Sequence, residues 1–240
     1  MDCQHKQKVN NAISAAADSQ LYVIYSICKE RRFTSHRIIY ACRRIGNRHH
    51  KKWEVRTWNT VSIFMPDLKN KIIWTIGHST RSLEEFIAML ESFEIGLLTD
   101  IRSYPGSRRY PHFNKGALEI SLPAANISYI HLPELGGRRK VRPDSKNTAW
   151  HHPAFRGYAD YMETAEFKIG IDRLEILALE KRTAYMCSEA VWWRCHRSLV
   201  SDYLKVRGWE VLHIMGIGKS MEHPYTSAAR IKEGGLFYTP

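Results

Sequence analysis

Along the first 71 residues the apolar and polar positions keep no steady period. Ala12–Ala17 has a helical composition, and Leu21–Ile27 is an apolar run with β-branched and aromatic residues. Arg43–Arg56 is basic, with His49 and His50 side by side. From Ile72 the pattern turns regular. Ile72–Ile76 is a short apolar, β-branched run that stops at Gly77, as a buried strand does. Ser82 followed by Glu85 predicts a capping box, and Leu83, Phe86, Ile87 and Leu90 then recur at helical spacing. Gly96–Ile101 and Ile127–Leu132 predict a second and a third strand. A helical region in two pieces is expected from about Arg156 to Glu180. Thr183–Cys187 reads as a fourth strand, followed by a helix from about Trp193 to Gly208. Trp209–Ile214 reads as a fifth strand. This alternation predicts an α/β fold: an open, mostly parallel sheet of about five strands with helices on both faces, preceded by a basic N-terminal extension.

In such a sheet ligands bind beyond the carboxyl ends of the strands. Polar residues gather at those positions. The first strand leads into Gly77-His78-Ser79-Thr80, and the second into Asp100-Ile101-Arg102, then Arg108, Arg109 and His112. The third carries His131, Glu134 and Gly136-Gly137. The fourth carries Cys187-Ser188-Glu189 and, in the next turn, Arg194-Cys195-His196-Arg197. A hydrophobic core does not account for four polar clusters at one sheet edge. The loops bearing His78, Arg102, Glu134 and Glu189 are expected to meet in one pocket.

Four motifs in the same order resemble those of the bacterial family called domain of unknown function 488. They are Ile76-Gly77-His78-Ser79, Asp100-Ile101-Arg102-Ser103-Tyr104-Pro105, His131-Leu132-Pro133-Glu134-Leu135-Gly136-Gly137, and Cys187-Ser188-Glu189 with Cys195-His196-Arg197. The resemblance covers about residues 72–231 and does not reach residues 1–71. It implies an α/β domain and marks these motifs as the family's signature. No activity, cofactor or catalytic assignment comes with it.

Charge changes the picture of the two ends of the chain. The net charge of +12 divides into +9 over residues 1–71 and +3 over residues 72–240. The basicity therefore belongs to the first third, where Trp53 and Trp58 could stack on the bases of a phosphate-held strand. A loosely attached extension is the plainer alternative, and a natural start at Met65, just before the first strand, is another. The N-terminus lacks the layout of a secretory signal and no segment is apolar enough to span a bilayer, so a cytoplasmic location away from membranes is expected. Five cysteines without regular spacing argue against a disulfide framework.

Among the candidates, Arg102, Arg108 and Arg109 with His112 form an anion-binding set, supported by Ser79, Thr80 and the helix start behind them. The plainer alternative is a solvated loop. Asp100 and Glu189 are the carboxylates placed for proton transfer, or else structural ion-pair partners of Arg102 and Arg197. Cys187, before a helix start and near Arg194 and His196, has the setting of a nucleophilic thiol, or of a small buried apolar residue. Six residues separate Cys187 from Arg194, one more than a cysteine-phosphatase loop has, and Trp192-Trp193 would crowd such a loop. No metal is assigned. Cys187, Cys195 and His196 with His78 or His131 match none of the compact zinc spacings, and adjacent helical residues point about 100° apart. Tyr104, Tyr110, Phe113, Trp150, Trp192 and Trp193 could stack on bases or simply pack. The basic stretch from Gly137 to His152 is long enough to be a lid or a strand-tracking loop, with a solvated surface as the plainer alternative.

These features favour an enzyme acting on a phosphate-bearing substrate, a nucleotide or nucleic acid. Asp100, Cys187 and Glu189 would be catalytic. His78, Ser79, Arg102, Arg108, Arg109, His112, His131, Glu134, Arg194, His196 and Arg197 would bind substrate. The alternative is a non-catalytic nucleotide- or nucleic-acid-binding regulatory module. No cofactor and no oligomeric state can be read from the sequence.

Overall fold

In the computed structural model, Ile73 packs on one side of a sheet while Trp74 and Ile76 pack on the other. This strand, β3 (Ile72–Gly77), has both faces covered, which is why it reads as a continuous apolar run. The structure describes residues 71–240 and, ahead of them, the backbone of β1 (Cys42–Ile45) and β2 (Lys52–Val55). Those two form an antiparallel pair with Cys42 opposite Val55, a unit described by itself. The expectations for Ala12–Ala17, Leu21–Ile27, His49, His50, Trp58 and a start at Met65 lie outside the described residues.

After β3 come α1 (Leu83–Glu91), β4 (Leu97–Asp100), α2 (Lys115–Ala124) and β5 (Ser128–His131). Next are α3 (Pro153–Met162), α4 (Ala165–Glu180), β6 (Thr183–Cys187), α5 (Arg197–Val206), β7 (Glu210–Gly216) and β8 (Lys219–Glu222). The sheet has six strands in the order β5-β4-β6-β3-β7-β8, parallel except for β8. A separate hairpin, β9 (Arg230–Lys232) with β10 (Gly235–Phe237), turns through Glu233 and Gly234, both at positive φ.

Two cores flank the sheet. Phe86, Met89 and Leu90 of α1 and Leu118 and Leu122 of α2 cover one face. Tyr158 of α3, Phe167, Ile171 and Leu174 of α4, and Leu199, Val200 and Leu204 of α5 cover the other. The chain steps from β3 to β4 to β5 toward one edge with its helices on the first face. It returns through β6 to β7 with its helices on the second, as right-handed crossovers require. Consequently β6 lies between two strands, β4 and β3, whose chains leave to the opposite face from its own. Crevices of this kind, at the carboxyl ends of strands where the winding reverses, are the ligand sites of open α/β sheets.

The five expected strands are all present, and β8, whose four residues are exposed and show no alternation, adds a sixth at the edge. Helix α2 was not expected: only Leu118 and Leu122 are buried along it, and Pro123 interrupts the pattern. The last helix starts at Arg197 rather than near Trp193, since Trp192–Arg194 forms a separate 3-10 turn. The capping box is seen in part, with Ser82 Oγ accepting from the Glu85 N–H at 3.2 Å. Among the described residues no helix is long and apolar enough to cross a membrane.

Candidate functional site

The carboxyl ends of β3 and β6 are stitched together past the last ladder pair. His78 N–H donates to the Cys187 carbonyl at 3.1 Å, and Ser79 N–H to the Ser188 carbonyl at 2.8 Å. Gly77 makes this approach possible, because a Cβ there would overlap the Glu189 carbonyl oxygen and crowd the Arg197 guanidinium. Arg197 is 1% exposed and donates to Thr75 Oγ1 at 3.1 Å and to the Glu189 carbonyl at 2.7 Å. It has no carboxylate partner among the described residues, and its Nε has no acceptor.

At the end of β4, Arg102 folds back on Asp100. Its Nε lies 2.9 Å from Asp100 Oδ1 and its second terminal nitrogen 2.6 Å from Oδ2, the same nitrogen also reaching the Phe113 carbonyl at 2.8 Å. Asp100 accepts two more bonds, from the Arg102 backbone N–H at 3.0 Å and from the Tyr129 hydroxyl at 2.7 Å. The carboxylate is 0% exposed. Burial lowers the Arg102 pKa, but its hydrogen bonds and pairing with Asp100 outweigh this and raise it. Burial and the Asp100 charge push the Tyr129 hydroxyl up. His78 donates from Nδ1 to the Ser79 carbonyl at 3.0 Å, which leaves Nε2 to accept from Arg102 at 3.4 Å. Burial and the Arg102 charge bring His78 down to about 4, and its ring stacks on Phe113 at 4.2 Å.

The third group lies at the end of β6. Cys187 Sγ is 3.8 Å and Cys195 Sγ 3.7 Å from His196 Nδ1, and the three atoms lie within 4.8 Å of one another. The cysteines are buried and His196 half-buried. Cys195 has an extended backbone (φ −132°, ψ 147°) and His196 is the residue before α5 (φ −56°, ψ −15°). The 100° offset of helical neighbours therefore does not apply to this pair. His196 Nε2 faces the Ile101 carbonyl at 3.3 Å. The hydrogen bond with Cys195, together with burial, pushes the Cys187 thiol up to about 12. Burial raises Cys195 as well, but the proton offered by Cys187 and the charge and N–H groups of Arg197 bring it down to about 6.

The family described as "Domain of unknown function DUF488" matches residues 82–204, just over half of the chain. The chain belongs to the DUF488 family. No curated protein and no solved structure matches it. The matched span holds Asp100, Arg102, Glu134, Cys187, Cys195 and His196, and leaves out β3 with His78.

Not every predicted residue of this DUF488 domain meets the others. His78, Arg102 and Asp100 form one connected group. Cys187, Cys195 and His196 form a second beside it, joined through Ile101 and the β3–β6 stitching. Arg108 and Arg109 are exposed on the loop after β4, with Arg109 lying over Tyr110 at 5.4 Å. His112 bonds the Arg81 carbonyl at 3.2 Å, and His131 the Arg102 carbonyl at 2.8 Å. Glu134 pairs with Arg173 on α4 at 3.7 Å and bonds neither Arg102 nor Glu189. The Glu189 and Arg194 side chains stand exposed. The four loops therefore meet through backbone more than through the four side chains named from the sequence. Trp192 is buried against His213 at 4.5 Å, whereas Trp193 is 51% exposed.

Several contributors to this DUF488 site were not foreseen. Tyr129 holds Asp100, and its place two residues before His131, on the same face of β5, was the available signal. Ser103 Oγ donates to the Gly137 carbonyl at 2.6 Å, which docks the β5 loop on the end of β4. The stretch from Gly137 to His152 is pinned as well. Asp160 of α3 accepts from the Arg142 N–H, Ser145 Oγ and Asn147 Nδ2 at 2.9, 2.6 and 2.9 Å.

Proposed function

We propose that this chain is an enzyme acting on a phosphate-bearing substrate, a nucleotide or nucleic acid, with Cys187, Cys195 and His196 as its reacting centre. The observation that carries the reading is their convergence at the end of β6, between two strands that leave to the opposite face. On the loops after β4, β5 and β6, Arg108, Arg109, Arg138 and Arg194 are exposed and make no ion pair with a carboxylate among the described residues. Such unpaired guanidinium groups suit phosphate oxygens. Tyr104, 73% exposed, and Trp193 lie on the two loops that carry Arg102 and Arg194, where their rings can stack on a base. In this scheme Asp100 and Tyr129 act as positioning residues that fix Arg102. Glu189, exposed two residues after Cys187, is the carboxylate free to move a proton.

The test titrates the full chain with ATP and with a short single-stranded DNA at several salt concentrations. Arg109→Ala and Arg194→Ala are expected to weaken binding. On the single strand, each lost phosphate contact should flatten the salt dependence by about 0.7 in logarithmic slope. Cys187→Ser should retain binding and lose turnover. If neither probe binds at low salt, the phosphate reading fails. If Cys187→Ser turns over like the wild type while the arginine variants lose function, the non-catalytic binding module is the better description.

A further inference from the structure

Two sulfurs and one imidazole nitrogen in this protein are turned toward a common point. We propose that Cys187, Cys195 and His196 form a binding site for one soft divalent cation of the zinc class, with a fourth coordination position left open. The proposal deepens the reading above, because it names what the same reacting centre holds.

Geometry is the first support. A tetrahedral zinc ion with Zn–S near 2.3 Å and Zn–N near 2.0–2.1 Å separates sulfur from nitrogen by about 3.5 Å and sulfur from sulfur by about 3.8 Å. The sulfur–nitrogen distances here are 3.8 and 3.7 Å, and the whole set fits within 4.8 Å. The donors therefore stand close to the edges of the required tetrahedron, and shifts of a few tenths of an ångström to about one would close it around an ion.

The imidazole supplies the second. A backbone carbonyl can only accept, so the Ile101 oxygen at 3.3 Å from Nε2 places the ring proton on Nε2. Nδ1 is then a bare lone pair, and it is the atom facing both sulfurs. Metal-binding histidines are commonly oriented in this way by a carbonyl on the far nitrogen. Gly137 fixes the ring from its face. A Cβ at that position would lie 2.9 Å from His196 Nδ1, 3.3 Å from Cγ and 3.4 Å from Cε1, above the imidazole plane. Only glycine lets the imidazole keep the orientation that turns Nδ1 to the sulfurs.

Ligand chemistry fixes the class of ion. Two thiolates and an imidazole favour zinc or another soft metal over magnesium or calcium, which take oxygen ligands. Two thiolates with a divalent ion also sum to zero charge, which suits a site where both cysteines are buried. With three protein donors the arrangement has the open position of a catalytic rather than a closed structural site.

The experiment uses the full chain purified without chelator, with metal content measured by mass spectrometry, followed by exchange into cobalt(II). About one zinc per chain is expected. The cobalt form should show sulfur-to-cobalt charge-transfer absorption and the intense visible bands of a tetrahedral centre. Cys187→Ser and Cys195→Ser should each lower affinity at least about tenfold and weaken the charge-transfer band. Gly137→Ala, which keeps every donor atom, should lower affinity with the circular dichroism unchanged, so a failure of the cysteine variants to fold would not protect the idea. A folded wild-type protein that takes up cobalt without a sulfur band, or holds it equally well after either cysteine change, overturns the proposal. Stoichiometric zinc in a chain that binds neither ATP nor a single strand would uphold the metal site and end the phosphate reading. Full turnover of ATP by metal-free protein would do the reverse.

Discussion

Gly77 carries a hydrogen where any other residue has a Cβ, and that difference sets how closely the ends of β3 and β6 approach. Gly77→Ala is expected to cost about 1–3 kcal/mol in urea unfolding, because a backbone carbonyl, unlike a side-chain tip, has no easy way to yield. Asp100 is the second decisive residue. Its oxygens accept from the Arg102 side chain, the Arg102 N–H and the Tyr129 hydroxyl, and it is fully buried. It has no face left for a substrate. Asp100→Asn should therefore register first as lost stability, on the order of 3–5 kcal/mol, since it leaves a buried guanidinium without its counter-charge. A variant that unfolds at the wild-type urea concentration yet turns over poorly would return Asp100 to a catalytic role.

At the scale of elements, the stretch from Gly137 to His152 shows how composition can mislead. Its basic residues suggest a free lid, but Asp160 on α3 takes three donors from it, and Arg142 also pairs with Glu163. Burial raises the Asp160 pKa, yet the hydrogen bonds from Asn147 and Ser145 outweigh this and lower it. Asp160→Ala should release the segment, seen as new protease cleavage between Arg138 and Lys146 while the sheet stays folded. Unchanged cleavage would mean that Trp150, stacked on Phe155 at 4.8 Å, holds the segment by itself. The C-terminal segment is tied down in a similar way. Asp202 of α5 accepts from His223, from Thr226 through both N–H and hydroxyl, and from Tyr238. His213 bonds His223 in turn at 2.9 Å.

For the whole molecule these buried histidines set an acid limit. Burial and the Arg102 charge hold His78 at about 4, and burial with the nearby His223 and Arg197 holds His213 at about 2. Unfolding returns both toward 6.5. Between the folded and unfolded values the unfolded chain binds more protons, so stability is greatest above about pH 6.5 and falls as the pH drops. Each histidine contributes at most about 1.4 kcal/mol per pH unit, His78 down to about 4 and His213 further. Urea midpoints measured from pH 7 to pH 4 should fall, and His213→Phe should make the fall shallower. An equal slope in that variant would show that His213 carries none of it.

The sequence determined the alternation of strands and helices, the mostly parallel sheet and the edge at which polar residues collect. These depend on which face of each element is buried, and burial leaves a period of two or of about 3.6 in the residues themselves. Helix α2 and strand β8 escaped because too few of their positions are buried to mark one. Side-chain direction was decided only in three dimensions. Arg102 turns inward because Asp100, His78 and Phe113 offer it acceptors, while Arg108 and Arg109 find none and stay in water. Cys195 and His196 aim at Cys187 because the backbone between the 3-10 turn and α5 is extended at Cys195 and helical at His196. Neighbours in sequence share no face that a period could predict there, and the return of the chain through the 3-10 turn brings Cys195 and His196 back to Cys187 at the end of β6.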